Sequence, residues 1–215
     1  MTNSEILSHI DHTLLKQDAK WENIAKLCEE ALLYHTASVC IPSCWVQKAH
    51  LTYPDLNICT VIGFPLGYEP KSVKGYEAIY ANGYGANEID MVINVSLLKS
   101  GMDDEVLDEM RLVRDACEGK ILKVIIETCL LTEEEKIRCC GLVTEAGADY
   151  IKTSTGFSTA GAQLEDIALF RQHIGPDVKI KAAGGIRTRE QMEAFLAAGC
   201  SRIGTSAAHI LFDQP

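Results

Sequence analysis

Apolar residues along this chain fall into two alternating patterns. Short runs rich in β-branched residues predict strands: "HIDHTLL" (9–15), "ASVCI" (37–41), "ICTVIGF" (58–64), "EIDMVIN" (88–94), "LKVIIET" (122–128), "YIKTS" (150–154), "KIKAAG" (179–184) and "RIGTS" (202–206). Between these runs, apolar positions recur at helical spacing. Ile24, Leu27, Cys28 and Ala31 do so after a cap expected at Asp18; Val106, Met110, Val113 and Cys117 form a second face, and Leu164, Ile167 and Phe170 a third. Thr132 with Glu135, and Thr188 with Gln191, have capping-box spacing. Residues 65–84 predict another helix with Pro70 near its start.

The strands mostly lack clean alternation, so both of their faces are expected to be buried. That pattern belongs to a parallel sheet with helical crossovers. Eight strands with no linker or low-complexity break predict a closed (β/α)8 TIM barrel, a single domain over residues 1–215. The alternative is an open doubly wound sheet, which usually carries a G-x-G-x-x-G after a strand; no such motif occurs here. A weak internal repeat supports the barrel. "GANEID" (85–90), "GADYIK" (147–152) and "GCSRIG" (199–204) each begin with a glycine suited to ending a helix and run into a strand. Asp90, Lys152 and Gly204 fall at the same position of that repeat, which places them at one level of the barrel.

Composition narrows the partners. The net charge of −10 argues against nucleic acid and against an anionic membrane surface. No apolar run approaches the roughly 18 residues of a membrane span, and the N-terminal "MTNSEILSHIDH" lacks a signal pattern. The nine cysteines are scattered through apolar segments with no C-x-x-C, so they read as reduced, mostly buried thiols of a cytoplasmic protein. The six histidines show no H-E-x-x-H or i,i+4 pairing, and no carboxylate cluster suggests a metal.

The working face of a (β/α)8 barrel is the C-terminal end of its strands, where Asp11, Cys40, Asp90, Glu127, Lys152 and Lys181 supply the polar groups. Parity sends Ile151 and Ile180 outward to the helices and Lys152 and Lys181 into the barrel. Two interior lysines on adjacent strands admit two readings. In one, Lys152 pairs with Asp90 or Glu127 as a polar filling. In the other, desolvation and mutual repulsion leave a neutral amine able to attack a carbonyl; the repulsion favours this second reading. "AAGGIRT" (182–188) and "GTSAAHI" (204–210) place small residues after the last two strands and ahead of helix starts, where barrels commonly bind phosphate. Arg187 adds charge there or is a solvated helix residue. "GFPLGYEP" (63–70) has loop chemistry at the edge of the same face.

"DHTLL", "SVCI", "CTVIGFPLG", "EIDMVIN", "KVIIETCLLTEEEK", "GADYIKTSTGFSTAGA", "KAAGGIRT" and "RIGTS" strongly resemble the deoxyribose-phosphate aldolase family, in order and over nearly the whole chain. The resemblance implies a (β/α)8 barrel and a class I aldolase that uses neither metal nor cofactor. Its reaction would cleave 2-deoxy-D-ribose 5-phosphate reversibly into acetaldehyde and D-glyceraldehyde 3-phosphate. By the same resemblance Lys152 is the Schiff-base lysine, Lys181 the lysine that lowers its pKa, and Asp90 the carboxylate that works with water in proton transfer. Asp11, Thr13 and Lys123 are implied to line the substrate pocket, and Gly156, Gly184, Gly185, Gly204 and Ser206 to form the phosphate loops. Relatives are often dimers, which makes a homodimer an expectation, although no interface pattern stands out in the sequence.

The chain departs from the family pattern in places. "CIPSCWV" replaces an Asn-Pro or Tyr-Pro after the "VC", "GYEP" replaces a "GANT"-like loop, and "GTSAA" lacks a second serine, which removes one expected phosphate hydrogen bond. Family members commonly end in a tyrosine that helps enamine protonation, whereas this sequence ends "LFDQP" with no tyrosine after Tyr150. These departures leave as alternatives a Schiff-base barrel with a different aldol acceptor, or a sugar-phosphate-binding barrel without turnover.

Overall fold

A computed structural model describes residues 1–212, so the last three residues of "LFDQP" lie outside it. Eight strands pair in parallel and in sequence order: β1 (Ile10–Thr13), β2 (Ser38–Ile41), β3 (Ile58–Ile62), β4 (Glu88–Val92), β5 (Ile121–Ile125), β6 (Tyr150–Lys152), β7 (Lys179–Ala183) and β8 (Arg202–Thr205). β8 returns to β1 with Asp11 opposite Gly204, which closes the barrel and excludes the open doubly wound sheet. Helix α1 (Asn3–Leu7) precedes β1. The crossovers are α2 (Trp21–Tyr34), α3 (Ser43–Thr52), α4 (Lys71–Gly83), α5 (Val95–Lys99) with α6 (Asp103–Ala116), α7 (Glu133–Glu145), α8 (Leu164–His173) and α9 (Arg189–Ala197). A short 3-10 turn, Ala208–Leu211, follows β8. Among the described residues no helix is long and apolar enough to cross a membrane.

The expected capping boxes form: Thr132 with Glu135 starts α7, and Thr188 with Gln191 starts α9. The cap of α2 is Lys20 rather than Asp18, because Asn23 offers its Oδ1 to the Lys20 amide at 3.0 Å. The helix expected over 65–84 begins only at Lys71, with Pro70 as N-cap. Residues 63–70 form a loop instead, turned by Gly63 and Gly67 at φ +56° and +72°. The first strand is likewise shorter than 9–15: Leu14 and Leu15 leave the sheet at its C-terminal mouth.

The main core lies outside the barrel. Outward residues such as Ile10, Val39, Ile89, Val124, Ile151, Ile180 and Ile203 pack against the apolar faces of the helices. Inside, the register stacks three layers of four residues, each drawn from alternate strands, because neighbouring strands are offset by about one residue around the barrel. The deepest layer is Ser38, Glu88, Tyr150 and Arg202. Above it lie Asp11, Cys59, Lys123 and Lys181, and the top layer is Cys40, Asp90, Lys152 and Gly204. The repeat read from the sequence therefore has a geometric basis: two strands onward and two residues upward returns to the same level.

Candidate active site

A barrel interior filled with ionised groups must pair each of them, since an unpaired buried charge costs several kcal/mol. Here the pairing forms one connected network. Lys152 Nζ donates to Asp90 Oδ2 at 2.7 Å, and Lys181 Nζ donates to the same oxygen at 2.6 Å and to Asp11. Lys123 Nζ donates to Asp90 Oδ1 at 2.8 Å and lies 2.6 Å from Glu88. Arg202 bridges Asp11 and Glu88, and Ser38 Oγ donates to Asp11 at 2.7 Å. Burial opposes the charges of Asp11 and Asp90, yet the lysines around them, with Arg202 at Asp11, outweigh it and hold both carboxyls below the usual range. The same contest raises Lys123, Lys181 and Arg202: burial works against their charge, and the carboxylates beside them win.

The two lysines do not face one another bare, as mutual repulsion alone required. Asp90 stands between them and accepts from both. The ion-pair reading of Lys152 with Asp90 is thus the geometry of the barrel interior. Lys152 still differs from its neighbours. It has one carboxylate contact, whereas Lys123 and Lys181 each have more. It also retains 3% exposure where the other two have 0%. That residual exposure opens into a cavity of about 330 Å³, lined by Thr13, Lys152, Thr155–Phe157, Ala183–Arg187 and Gly204–Ser206 together with the Leu14–Lys16 segment.

Of the residues singled out in the sequence, Thr13, Lys152, Gly156, Gly184, Gly185, Gly204 and Ser206 meet at this cavity, while Asp90 lies beside Lys152 in its layer and Lys181 one layer below, both fully buried. Asp11 and Lys123 correct the expectation that they line the pocket. Both belong to the fully buried middle layer, because the strand tilt sets them one level below Lys152. Gly204 is also corrected: it sits within β8 rather than in a loop. A Cβ there would lie 3.2 Å from Lys181 Cε and 3.1 Å from Ala183 Cβ, so its missing side chain makes room for Lys181.

The glycine turn works differently from a helix N-terminus. Gly156, Gly184 and Gly185 have φ of +84°, +88° and +76°, and a Cβ on Gly184 would meet Gly161 Cα at 3.1 Å, so backbone packs directly on backbone at the cavity wall. The start of α9 is satisfied from within. Arg187 and Thr188 amides donate to Gln191 Oε1 at 2.8 and 3.1 Å, and the Gln191 amide donates to Thr188 Oγ1. Gly184–Arg187, Ser206 and Lys16 line the cavity at this wall. A slightly larger cleft of about 360 Å³ opens behind the same turn, between the starts of α8 and α9, and no lysine lines it.

Glu127 crowns β5 in a left-handed conformation at φ +55° and accepts from the Thr155 amide and hydroxyl, which fixes the loop after Lys152. Burial raises its pKa. Thr153 Oγ1 donates to the Ala183 carbonyl and accepts from the Ala183 amide, both at 3.1 Å, and locks β6 to β7. Two network members were missed in the sequence, Glu88 and Arg202. Each stands two residues before a residue already placed inside, Asp90 and Gly204, so the same parity was available to find them. Two clusters of thiol and carboxylate, Cys40–Cys59–Asp90 and Asp11–Cys59–Glu88, have atoms close enough to hold an ion. The Lys123 ammonium already occupies that space, 3.3 Å from Cys59 Sγ and bonded to Asp90 and Glu88.

The ionised barrel interior leads one lysine to a cavity with a glycine-turned wall, and comparison with known proteins gives the class of enzyme, an aldolase. Residues 6–206 match the DeoC/LacD family aldolase model. The chain is 59% identical over 209 residues to a deoxyribose-phosphate aldolase of Clostridium botulinum (strain Eklund 17B / Type B), covering 97% of this chain and 95% of that one. It is 53% identical to the enzyme of that name from Streptococcus mutans, with 94% and 93% covered. Among solved structures, deoxyribose phosphate aldolase from Aeropyrum pernix, described as tetrameric, superposes with a TM-score of 0.90 at 32% identity, covering 96% of this chain and 89% of its own. The chain belongs to the DeoC/LacD family of aldolases.

Proposed function

We propose that this enzyme cleaves 2-deoxy-D-ribose 5-phosphate reversibly into acetaldehyde and D-glyceraldehyde 3-phosphate, with Lys152 as the nucleophile. The observation that carries the assignment is the position of Lys152, the one lysine of the interior network that reaches the cavity and the one held by a single carboxylate. If every group were ionised, four cations (Lys123, Lys152, Lys181 and Arg202) would face three carboxylates (Asp11, Glu88 and Asp90). Of these four cations, Lys152 is the one with a route to water.

The neutral Lys152 amine attacks the open-chain C1 aldehyde, and the carbinolamine takes up a proton and loses water to give an iminium. A base takes the proton of the C3 hydroxyl. The C2–C3 bond breaks, its electrons move into the iminium, and glyceraldehyde 3-phosphate departs. The resulting enamine takes a proton at carbon, and water hydrolyses the new iminium to free acetaldehyde and Lys152. Asp90, 2.7 Å from Lys152 Nζ, is placed to shuttle these protons through water. Lys181 keeps Asp90 ionised and oriented, while Asp11 and Lys123 hold those two groups from below. Thr13 forms the side wall. The phosphate rests against the Gly156 and Gly184–Gly185 backbone and Ser206, which brings C1 to Lys152.

Borohydride reduction with acetaldehyde tests the assignment. An N-ethyl adduct on Lys152, located by peptide mass mapping, is the expected result, and activity should survive EDTA. Absence of the adduct, or full activity in Lys152→Ala, would sink the proposal.

A further inference from the structure

Glu127 stands apart from the other buried carboxylates. Six carboxylates are buried among the described residues, and five of them meet a cation: Asp11, Glu88 and Asp90 in the barrel network, Glu109 on Lys74 and Asp166 on Lys136. Glu127 is 3% exposed, and its partners are the amide and hydroxyl of Thr155 and the more distant Cys129 thiol. A buried carboxylate without a counter-ion is costly. Its backbone adds to that cost, at φ +55° and ψ +66°. Among the described non-glycine residues only His35, which ends helix α2, shares this left-handed conformation. Backbone strain and an unpaired buried charge at one residue, on the working mouth of β5, call for a use.

The contacts of Glu127 fix the polarity of one hydroxyl. A threonine hydroxyl has one hydrogen to give and two lone pairs to receive with. The Thr155 hydrogen goes to Glu127 Oε2, and one lone pair receives the Phe157 amide at 3.1 Å. One lone pair remains, on a side chain that lines the cavity with Lys152 and Gly156. An ionised carboxylate accepts and never donates, so Thr155 cannot turn its hydrogen toward the cavity without leaving that charge bare.

We infer that Glu127 is a positioning residue for the reaction: through Thr155 Oγ1 it presents the cavity with a hydrogen-bond acceptor that orients the C4 hydroxyl of the sugar phosphate. The order of residues along the wall selects that hydroxyl. Lys152 takes C1. At the other end Gly156 packs on the wall that holds the phosphate of C5, where a Cβ on it would meet Gly184 Cα at 3.7 Å. Thr155 lies between the two and adjoins Gly156, so its free lone pair meets the carbon next to the phosphate-bearing one. The C3 hydroxyl, which must give up its proton, is left to Asp90. The inference rests on the substrate reading above and adds to it the residue that reads the sugar's hydroxyl pattern.

Condensation in the synthesis direction tests it, with acetaldehyde as donor and two acceptors. One is D-glyceraldehyde 3-phosphate, whose C2 hydroxyl becomes the C4 hydroxyl of the product; the other is 3-phosphooxypropanal, which lacks that hydroxyl. The readout is the ratio of kcat/KM for the two acceptors, compared between proteins so that the intrinsic reactivity of each aldehyde cancels. Thr155→Val should shrink the ratio at least about 10-fold and Glu127→Gln at least about 3-fold, because a hydrogen bond reinforced by charge is stronger than a neutral one. Thr155→Ser keeps the hydroxyl and should hold the ratio within about 2-fold of wild type. A residue that only stapled the loop would slow both acceptors alike. An unchanged ratio in folded Glu127→Gln therefore overturns the inference whatever the loss of rate, and so does an unchanged ratio in Thr155→Val. Should circular dichroism show Glu127→Gln to be unfolded, Glu127→Asp replaces it. That variant draws the carboxylate back from Thr155 by one carbon, and it overturns the inference if its ratio matches wild type. Borohydride trapping of acetaldehyde on Lys152 separates the two kinds of failure. No adduct in wild type ends the substrate reading and this inference together, whereas an adduct with unmoved ratios ends this inference alone.

Discussion

Replacing Asp90 by Asn removes the hub of the interior network while keeping its shape. Asp90 accepts from Lys123, Lys152 and Lys181 at 2.6–2.8 Å, and also from Cys59. Without its charge, four cations face only Asp11 and Glu88, and the surplus rises from one to two. Breaking a buried pair costs about 3–5 kcal/mol. At roughly 2–4 °C per kcal/mol for a chain of this size, the melting temperature should fall by about 6–20 °C. Loss of the proton shuttle should lower kcat by about 10²–10⁴-fold. The two effects can be separated. Asp90→Asn/Lys123→Met restores the surplus of one, so thermal melts should recover most of the lost stability while a coupled assay for glyceraldehyde 3-phosphate stays depressed. An Asp90→Asn protein with wild-type melting and turnover would refute the network argument, and recovery of activity in the double variant would refute the catalytic role.

Gly204→Val should lower kcat at least about 10-fold by pressing on Lys181, whose Cε lies 3.2 Å from the new Cβ; steady-state kinetics with a folded-state check decides. Gly184→Ala forces a side chain into φ +88° against Gly161 and should destabilise by about 1–3 kcal/mol, read by urea denaturation, while raising KM for the phosphorylated substrate more than for free deoxyribose. Lys74→Met leaves Glu109 buried without its partner, 2.7 Å away in the native fold, and should cost about 3–5 kcal/mol in the same assay. The depressed carboxyls of Asp11 and Asp90 give stability that is fully present above their unfolded pKa and is lost as pH falls toward their folded values. Urea midpoints should therefore drop below roughly pH 4, and Asp90→Asn should drop less steeply.

Strand parity made much of the site legible. "YIKTS" and "KIKAAG" give the inward direction of Lys152 and Lys181 from the alternation alone, and the glycine-led repeat gives the common level of Asp90, Lys152 and Gly204. What the sequence conceals is contact across the barrel. That one carboxylate serves three lysines depends on strands 30 to 90 residues apart, and the repulsion argument for Lys152 and Lys181 had no means of inserting Asp90 between them. The Thr188–Gln191 capping box was legible too, but not its consequence: Gln191 takes the Arg187 and Thr188 amides that a phosphate at the helix start would need. The Pro70 start of α4 shows the opposite case, where a local breaker outweighed an apolar pattern running on either side of it.

The shared oxygen of Asp90 also bears on how the reaction coordinate meets the protein. A protonated amine and a protonated imine place one positive charge on the same Lys152 nitrogen. A pocket whose Asp90 Oδ2 sits 2.7 Å from the Lys152 nitrogen is thus already solvated, in the sense of fixed dipoles and charges, for the iminium through which carbon–carbon cleavage draws its electrons. After the iminium has formed, only the enamine is neutral there. The barrel need not rearrange to stabilise the electron sink, and the step it disfavours is the one that must be reprotonated, which drives the enamine onward to release.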